Sequence, residues 1–161
     1  MLSRIDKILN HEGYKTYLKC IETFEVGREF CKHDLGHFID VARIATILSL
    51  KEGIHLSGDL LYATALLHDI GRHVQYEIGT PHEMASADLS DAILESAGYD
   101  LNERESIKIA IINHRNEAIK NDQTLSGYIY RADKLSRNCF SCKASSLCDW
   151  SDDKKNTTLK I

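Results

Sequence analysis

Apolar residues recur at helical spacing along most of the chain. His37, Val41, Ile44 and Leu48 fall at i, i+4, i+7 and i+11, and Leu61, Ala65 and His68 form a second such row. His82, Ala85, Leu89 and Ile93 make a third, Ile107, Ile111 and His114 a fourth, and Ile129 shares a face with Asp133. Strand-like alternation is nearly absent and Pro81 is the sole proline, so the pattern predicts an all-α bundle of about six helices. The first helical region covers about residues 2–30, interrupted near Gly13. The second runs from Leu35 to Lys51 between an Asp34 cap and a Gly53 stop, and the third starts after Ser57 and reaches His68–Asp69. "TPHE" at 80–83 reads as a capping box with Pro81 at the first helical position, opening a fourth helix that ends at Gly98. Asn102 and Glu105 are expected to cap a fifth helix to about Lys120, and a sixth spans about Thr124 to Arg137. The polar tail after Trp150 reads as mobile.

Each of these apolar faces also carries a histidine or an aspartate. Within "ALLHDIGR" (65–72), His68 and Asp69 interrupt a run that otherwise reads as core. Burying an unpaired carboxylate is costly, so something must compensate the Asp69 charge. One inward histidine is an ordinary core residue. Four of them with two aspartates, spread over five helices of one small chain, point to a metal centre, because cations neutralise buried carboxylates and accept imidazole nitrogens.

Composition narrows the setting. A chain of 161 residues is the length of one ordinary domain with a real core. A net charge of −4 gives no basic footprint for general nucleic-acid binding, and no apolar run approaches the ~18 residues of a membrane span. "MLSRIDKILNHEG" lacks the apolar core of a signal peptide, and five cysteines are an odd count. Reduced thiols and a cytoplasmic location are the expectation.

"HFIDVARIA" (37–45), "LLHDIGR" (66–72) and "YRADKLSR" (130–137) stand in the order His, His-Asp, Asp. In these blocks the chain resembles the HD-domain superfamily of metal-dependent phosphohydrolases, over about residues 30–137. The resemblance implies a helical HD domain over 1–137, followed by a cysteine-containing extension over 138–161. It implies a first metal held by His37, His68, Asp69 and Asp133. "PHEMAS" (81–86) and "IINHR" (111–115) add His82 and His114, as in the subset with a second metal, which Asp69 would bridge. The Gly-Tyr-Pro signature of the cyclic-dinucleotide phosphodiesterases is absent.

Two cations ~3.5–4 Å apart can hold a phosphate and a nucleophilic water together and lower the water's pKa. Mixed imidazole and carboxylate ligands suit Fe, Mn, Ni, Co or Zn. His68 and Asp69 are then the centre of the catalytic apparatus. Arg72, Lys134 and, more weakly, Arg115 are candidates for holding phosphate oxygens, against the plainer reading of solvated surface cations. The expected activity is hydrolysis of a nucleotide or another small phosphate ester. An HD-type di-iron oxygenase and a non-catalytic metal or ligand binder are the alternatives.

His33 falls before the Asp34 cap, off the apolar stripe, and is read as at most a pocket residue; His73 is read in a loop, and His11 and His55 on the surface. "CFSCKASSLC" spaces its cysteines C-x2-C-x5-C, one ligand short of a zinc or iron–sulfur site. Cys31 could supply the fourth, six residues before His37 as Cys139 is six after Asp133; six helical residues displace each by only about 9 Å. Reduced thiols packed near the core are the other reading of Cys31, Cys139, Cys142 and Cys148.

Overall fold

The Asp34 carboxylate accepts a hydrogen bond from the His37 backbone N–H, and this cap starts the helix that carries the first candidate ligand. In the computed structural model, which describes residues 1–160, eight α-helices follow one another with no strand among the described residues. They are α1 (Arg4–Asn10), α2 (Glu12–Phe24), α3 (Leu35–Lys51), α4 (Gly58–Leu67), α5 (Arg72–Ile78), α6 (His82–Ala97), α7 (Leu101–Asn113) and α8 (Leu125–Leu135). Ile161, the last residue of the expected extension, lies outside the described residues.

α4 is the axis of the bundle. Leu61, Ala63, Thr64, Ala65, Leu66 and Leu67 are all buried, so this helix is covered on every side, by α3, α6, α7, α8 and α1. One apolar cluster joins Phe38, Leu66, Leu67 and Ile70 to Ile93, Leu94, Ile107 and Ile111, and a second joins Val41, Leu61, Tyr128 and Ile129. Each such side chain contributes about 1.5–3 kcal/mol on burial. Because the rows identified in the sequence lie on these inner faces, the polar residues at their ends are carried inward as well.

Several expected boundaries are corrected. The first helical region is two helices, broken at His11 rather than Gly13 and ending at Phe24; His11 caps α2, its ring accepting from the Gly13 N–H. The Thr80–Glu83 capping box does not form. Pro81 itself is the N-cap, and the Glu83 carboxylate is turned to His82 and Arg115, each 3.6 Å away. α7 is capped by Asp100, not Asn102, in a reciprocal box with Glu103, and it stops at Asn113; a 3-10 turn over Glu117–Ile119 takes the remaining residues. α5, which contains His73, replaces the loop expected there.

The Asp100 box has a tertiary reinforcement. Arg4 pairs with Glu103 at 2.7 Å and with Asp59 at 2.8 Å, tying α1 to the first turns of α7 and α4. Asp100→Ala is therefore expected to lower stability by about 1 kcal/mol in a urea titration, with an unchanged slope. The tail is also anchored, contrary to expectation: Asn156 is buried, and its side-chain amide donates to the Lys134 and Arg137 carbonyls at 2.7 and 2.9 Å.

Candidate metal centre

α4 ends at Leu67, so His68 and Asp69 occupy the turn between α4 and α5 at the middle of the bundle, each no more than 1 % exposed. α3 brings His37 to this turn, α6 brings His82 from its first position, the end of α7 brings His114 and α8 brings Asp133. All six expected ligand residues therefore meet, as two groups that share Asp69: His37, His68, Asp69 and Asp133 in one, and Asp69, His82 and His114 in the other.

The two oxygens of Asp69 divide the work between these groups. Oδ2 faces His68 Nε2 at 3.4 Å and His37 Nε2 at 4.0 Å, while Asp133 Oδ1 lies 3.4 Å from His37 Nε2 and 3.8 Å from His68 Nε2. Oδ1 faces His82 Nε2 at 3.1 Å and His114 Nε2 at 3.5 Å. The outer ring nitrogens are committed elsewhere. Nδ1 of His68 donates to the Ala65 carbonyl at 2.7 Å, Nδ1 of His114 to the Ile111 carbonyl at 2.6 Å, and Nδ1 of His82 to Gln75 Oε1. Ser136 gives its hydroxyl proton to the Asp133 carbonyl, so its oxygen accepts from His37 Nδ1 at 3.1 Å. In the neutral ring, each donated Nδ1–H leaves an Nε2 lone pair aimed at the centre, the tautomer that a metal ligand requires.

Three buried acceptor atoms at the centre have no hydrogen-bond partner: His68 Nε2 and both oxygens of Asp69. Buried polar atoms are nearly always satisfied, so these orphans and the donor chemistry around them fit divalent metal ions. Burial alone would favour the neutral acids. His68 and Arg72 outweigh it at Asp69, as do Lys134 and His37 at Asp133, holding both carboxyls well below the usual range. Burial pushes His37 down to about 4 and lowers His82, which keeps these imidazoles neutral and able to ligate at pH 7.

The candidate phosphate-binding cations divide. Arg72 Nε lies 3.3 Å from Asp69 Oδ1, and Lys134 Nζ lies 2.6 Å from Asp133 Oδ2, both at the centre. Arg115 stands at the rim, half-exposed beside Glu83. A cavity of about 880 Å³ opens over the centre, lined by these three, by Arg137, and by the aromatic rings of Tyr130 and Trp150.

Two features are not evident from the sequence pattern. Arg137 reaches between His37 and Asp133, with Nη2 at 3.1 Å from His37 Nε2 and 3.2 Å from Asp133 Oδ1. Its i+4 spacing from Asp133 is the signal that could have found it. His33 lines the cavity, the most expected of it, and is also buried: its Nδ1 meets Glu25 Oε1 at 2.5 Å, its Nε2 lies 3.7 Å from Asp69 Oδ2, and Tyr76 also donates to Glu25. Nothing in the local pattern pairs Glu25 with a residue of the next helix's approach. Burial opposes ionisation of Glu25, but the bonds from His33 and Tyr76 win and hold it at about 2, below its ordinary 4.5. Its depressed pKa adds stability above pH 4.5 that is lost as pH falls toward 2. Glu25→Gln is expected to cost ~2–3 kcal/mol at pH 7 and to flatten the stability curve over that acid window. Denaturation of both proteins across pH 2–7 checks this, and parallel curves would count against it.

The HD domain family pattern matches residues 34–138. A protein of Clostridium beijerinckii described as uncharacterized is 47 % identical over 155 residues, covering 96 % of this chain and 97 % of its own. Ribonuclease Y 1 of Pediococcus pentosaceus is 28 % identical over 138 residues, and ribonuclease Y of Thermoanaerobacter pseudethanolicus 29 % over 140; each match covers 78 % of this chain. The chain spans about a quarter of the length of these two ribonucleases, 26 and 27 %. No solved structure gives a significant match. With the family pattern covering the three blocks that build the buried centre, the chain belongs to the HD domain family.

Proposed function

We propose that this protein is a metal-dependent phosphohydrolase acting on a nucleotide or a phosphate ester of similar size. The observation that carries the reading is the pair of His/Asp groups sharing Asp69, with unsatisfied acceptor atoms, at the floor of a cation-lined cavity. His37, His68, Asp69 and Asp133 would hold one divalent metal, and Asp69, His82 and His114 a second. When bound, such ions neutralise phosphate charge and acidify water.

The chain's own groups supply the rest. Arg72 and Lys134 already lie against the two carboxylates, so a phosphate seated there meets their positive charge as well. Arg137 adds a third cation, and its guanidinium is nearly buried, where Coulombic attraction is strong. Gln75 and the Ala65 and Ile111 carbonyls keep the imidazoles oriented, so no rearrangement is needed when substrate arrives. A volume of about 880 Å³ suits a nucleotide, and Tyr130 and Trp150 offer faces for a base. The ribonuclease Y relatives, whose name states an RNA substrate, support phosphate-ester chemistry at this site and put short RNA among the candidates.

The test is phosphate or nucleotide release from a panel of mononucleotides, dinucleoside polyphosphates and short RNAs, with Mn, Fe, Co, Ni or Zn added to protein stripped of metal. Turnover that requires metal supports the reading. Metal-dependent oxygen uptake without phosphate release would replace it with the oxidative alternative. On the preferred substrate, Arg72→Ala is expected to raise KM about ten- to a hundred-fold, the loss of one or two charge-assisted hydrogen bonds, with a smaller change in kcat. An unchanged KM would remove Arg72 from the site.

A further inference from the structure

Four of the five cysteines gather beside the cavity. Cys31 lies on the approach to α3; Cys139 opens the first of the two 3-10 turns that follow α8 (Cys139–Ser141 and Ser145–Leu147), and Cys142 and Cys148 are the residues that close them. Cys31, Cys139 and Cys148 line the 880 Å³ cavity, while Cys142 lines an adjoining one of about 370 Å³ whose wall Cys31 also shares. Burial pushes the Cys31 thiol up, Arg137 opposes this, and Cys139, Cys142 and Cys148 push it further. Arg137 also ties the segments together, donating to the Lys32 carbonyl at 3.3 Å.

This extension has almost no apolar core. Among the described residues after Arg137, only Ala144 and Asn156 are buried, and Phe140 and Leu147 are 49 % and 69 % exposed. A segment of that kind lacks the hydrophobic contribution that would order it, and small modules in this position rely on disulfides or metals. All five cysteines are free thiols here. C-x2-C on a tight turn is a spacing that lets two thiolates reach one ion or cluster.

We infer that Cys31, Cys139, Cys142 and Cys148 hold a thiolate-ligated metal centre, zinc or an iron–sulfur cluster, that fixes the C-terminal extension as a wall of the cavity. Among the described residues, the sets of three or more donors within 4.8 Å of one another are the two at the His/Asp centre. The four sulfurs are thus spread wider than a zinc tetrahedron, whose Zn–S bonds of ~2.3 Å bring sulfurs to about 3.8 Å. An iron–sulfur cluster interposes its own iron and sulfide and demands less closure of the four sulfurs than zinc does. Occupancy would also set the position of Trp150, two residues after Cys148, over the His/Asp centre.

The test uses the full chain without a histidine tag, purified anaerobically. Iron, zinc and acid-labile sulfide are measured in the wild type, in Cys139→Ser/Cys142→Ser, and in His82→Ala/His114→Ala. Labile sulfide with absorbance near 400 nm, lost in the cysteine variant and kept in the histidine variant, identifies a cluster. Zinc lost and kept in the same pattern identifies a zinc site. Because the cysteine variant could fail to fold, iodoacetamide labelling of the native wild type supplies a second readout, with Cys20, which lines neither cavity, as internal reference. Ligated thiolates should label at least about ten-fold more slowly than Cys20 and reach its rate once a chelator is added. Equal labelling of all five before chelation, or disulfides among the four, with no metal or sulfide lost in the cysteine variant, would overturn the inference.

Discussion

Asp69→Asn is expected to lower affinity for both metal ions by more than about 100-fold, beyond the loss typical of residues that only support ligands, and to bring phosphate-ester turnover to background. The substitution keeps the shape of the side chain. It replaces one of the two orphaned oxygens by an NH2 group, which repels a cation and cannot ligate. Since Oδ2 faces His37 and His68 while Oδ1 faces His82 and His114, whichever way the amide turns, one group loses its shared donor and the other loses its charge. Metal analysis after dialysis, together with turnover on the best substrate, is the check. Two metals retained with full activity would separate Asp69 from the centre. His82→Ala is the informative contrast, because it leaves the His37, His68, Asp69 and Asp133 group intact.

The second large effect is expected at Gly71, which is not a ligand. The turn after Asp69 runs so close to α6 that a Cβ at this position would meet the Ser86 nitrogen and lie 2.8 Å from both the Ala85 carbonyl carbon and Cβ. Its N–H donates to Ser86 Oγ at 2.8 Å, so the two segments are clamped as well as touching. The obstacles are two backbone atoms and a Cβ fixed to the backbone, none of which can rotate aside. Gly71→Ala is expected to cost about 3 kcal/mol and to lower Tm by roughly 6–12 °C. Since α6 must move away to admit the methyl group, and His82 opens α6, the site of His82 and His114 should weaken more than its neighbour. Thermal melts with and without metal, and metal titration, would show this. A melting temperature within a degree or two of the wild type would mean that α6 yields without strain.

Much of this centre is legible in the sequence, for a definite reason. A helix repeats its faces every few residues, so placing His37 on a row with Val41, or His114 with Ile111, needs only local geometry. The capping of α3 by Asp34 and the start of α8 at Thr124 follow from the chemistry of the first helical turn. Where two local signals compete, tertiary contacts choose between them. Glu83 is in register to close a capping box with Thr80, yet His82 and Arg115 draw its carboxylate away. Asp100 and Glu103 win the start of α7 over Asn102 and Glu105, helped by Arg4 from the far end of the chain.

By itself, then, the sequence determined that the chain is helical and which side chains turn inward. It also marked the buried Asp69 charge as one that needed compensation. The packing of helices distant in sequence decided what that inward set becomes. It gave each oxygen of Asp69 its own histidines, slid Arg137 between His37 and Asp133, and brought Cys31 to the same cavity walls as the cysteines after α8. Periodicity tells which way a residue points along its own helix. The distance between atoms on different helices depends on crossing angle, axial offset and close contacts such as Gly71 on Ala85, and the chemistry of this centre is set by those distances.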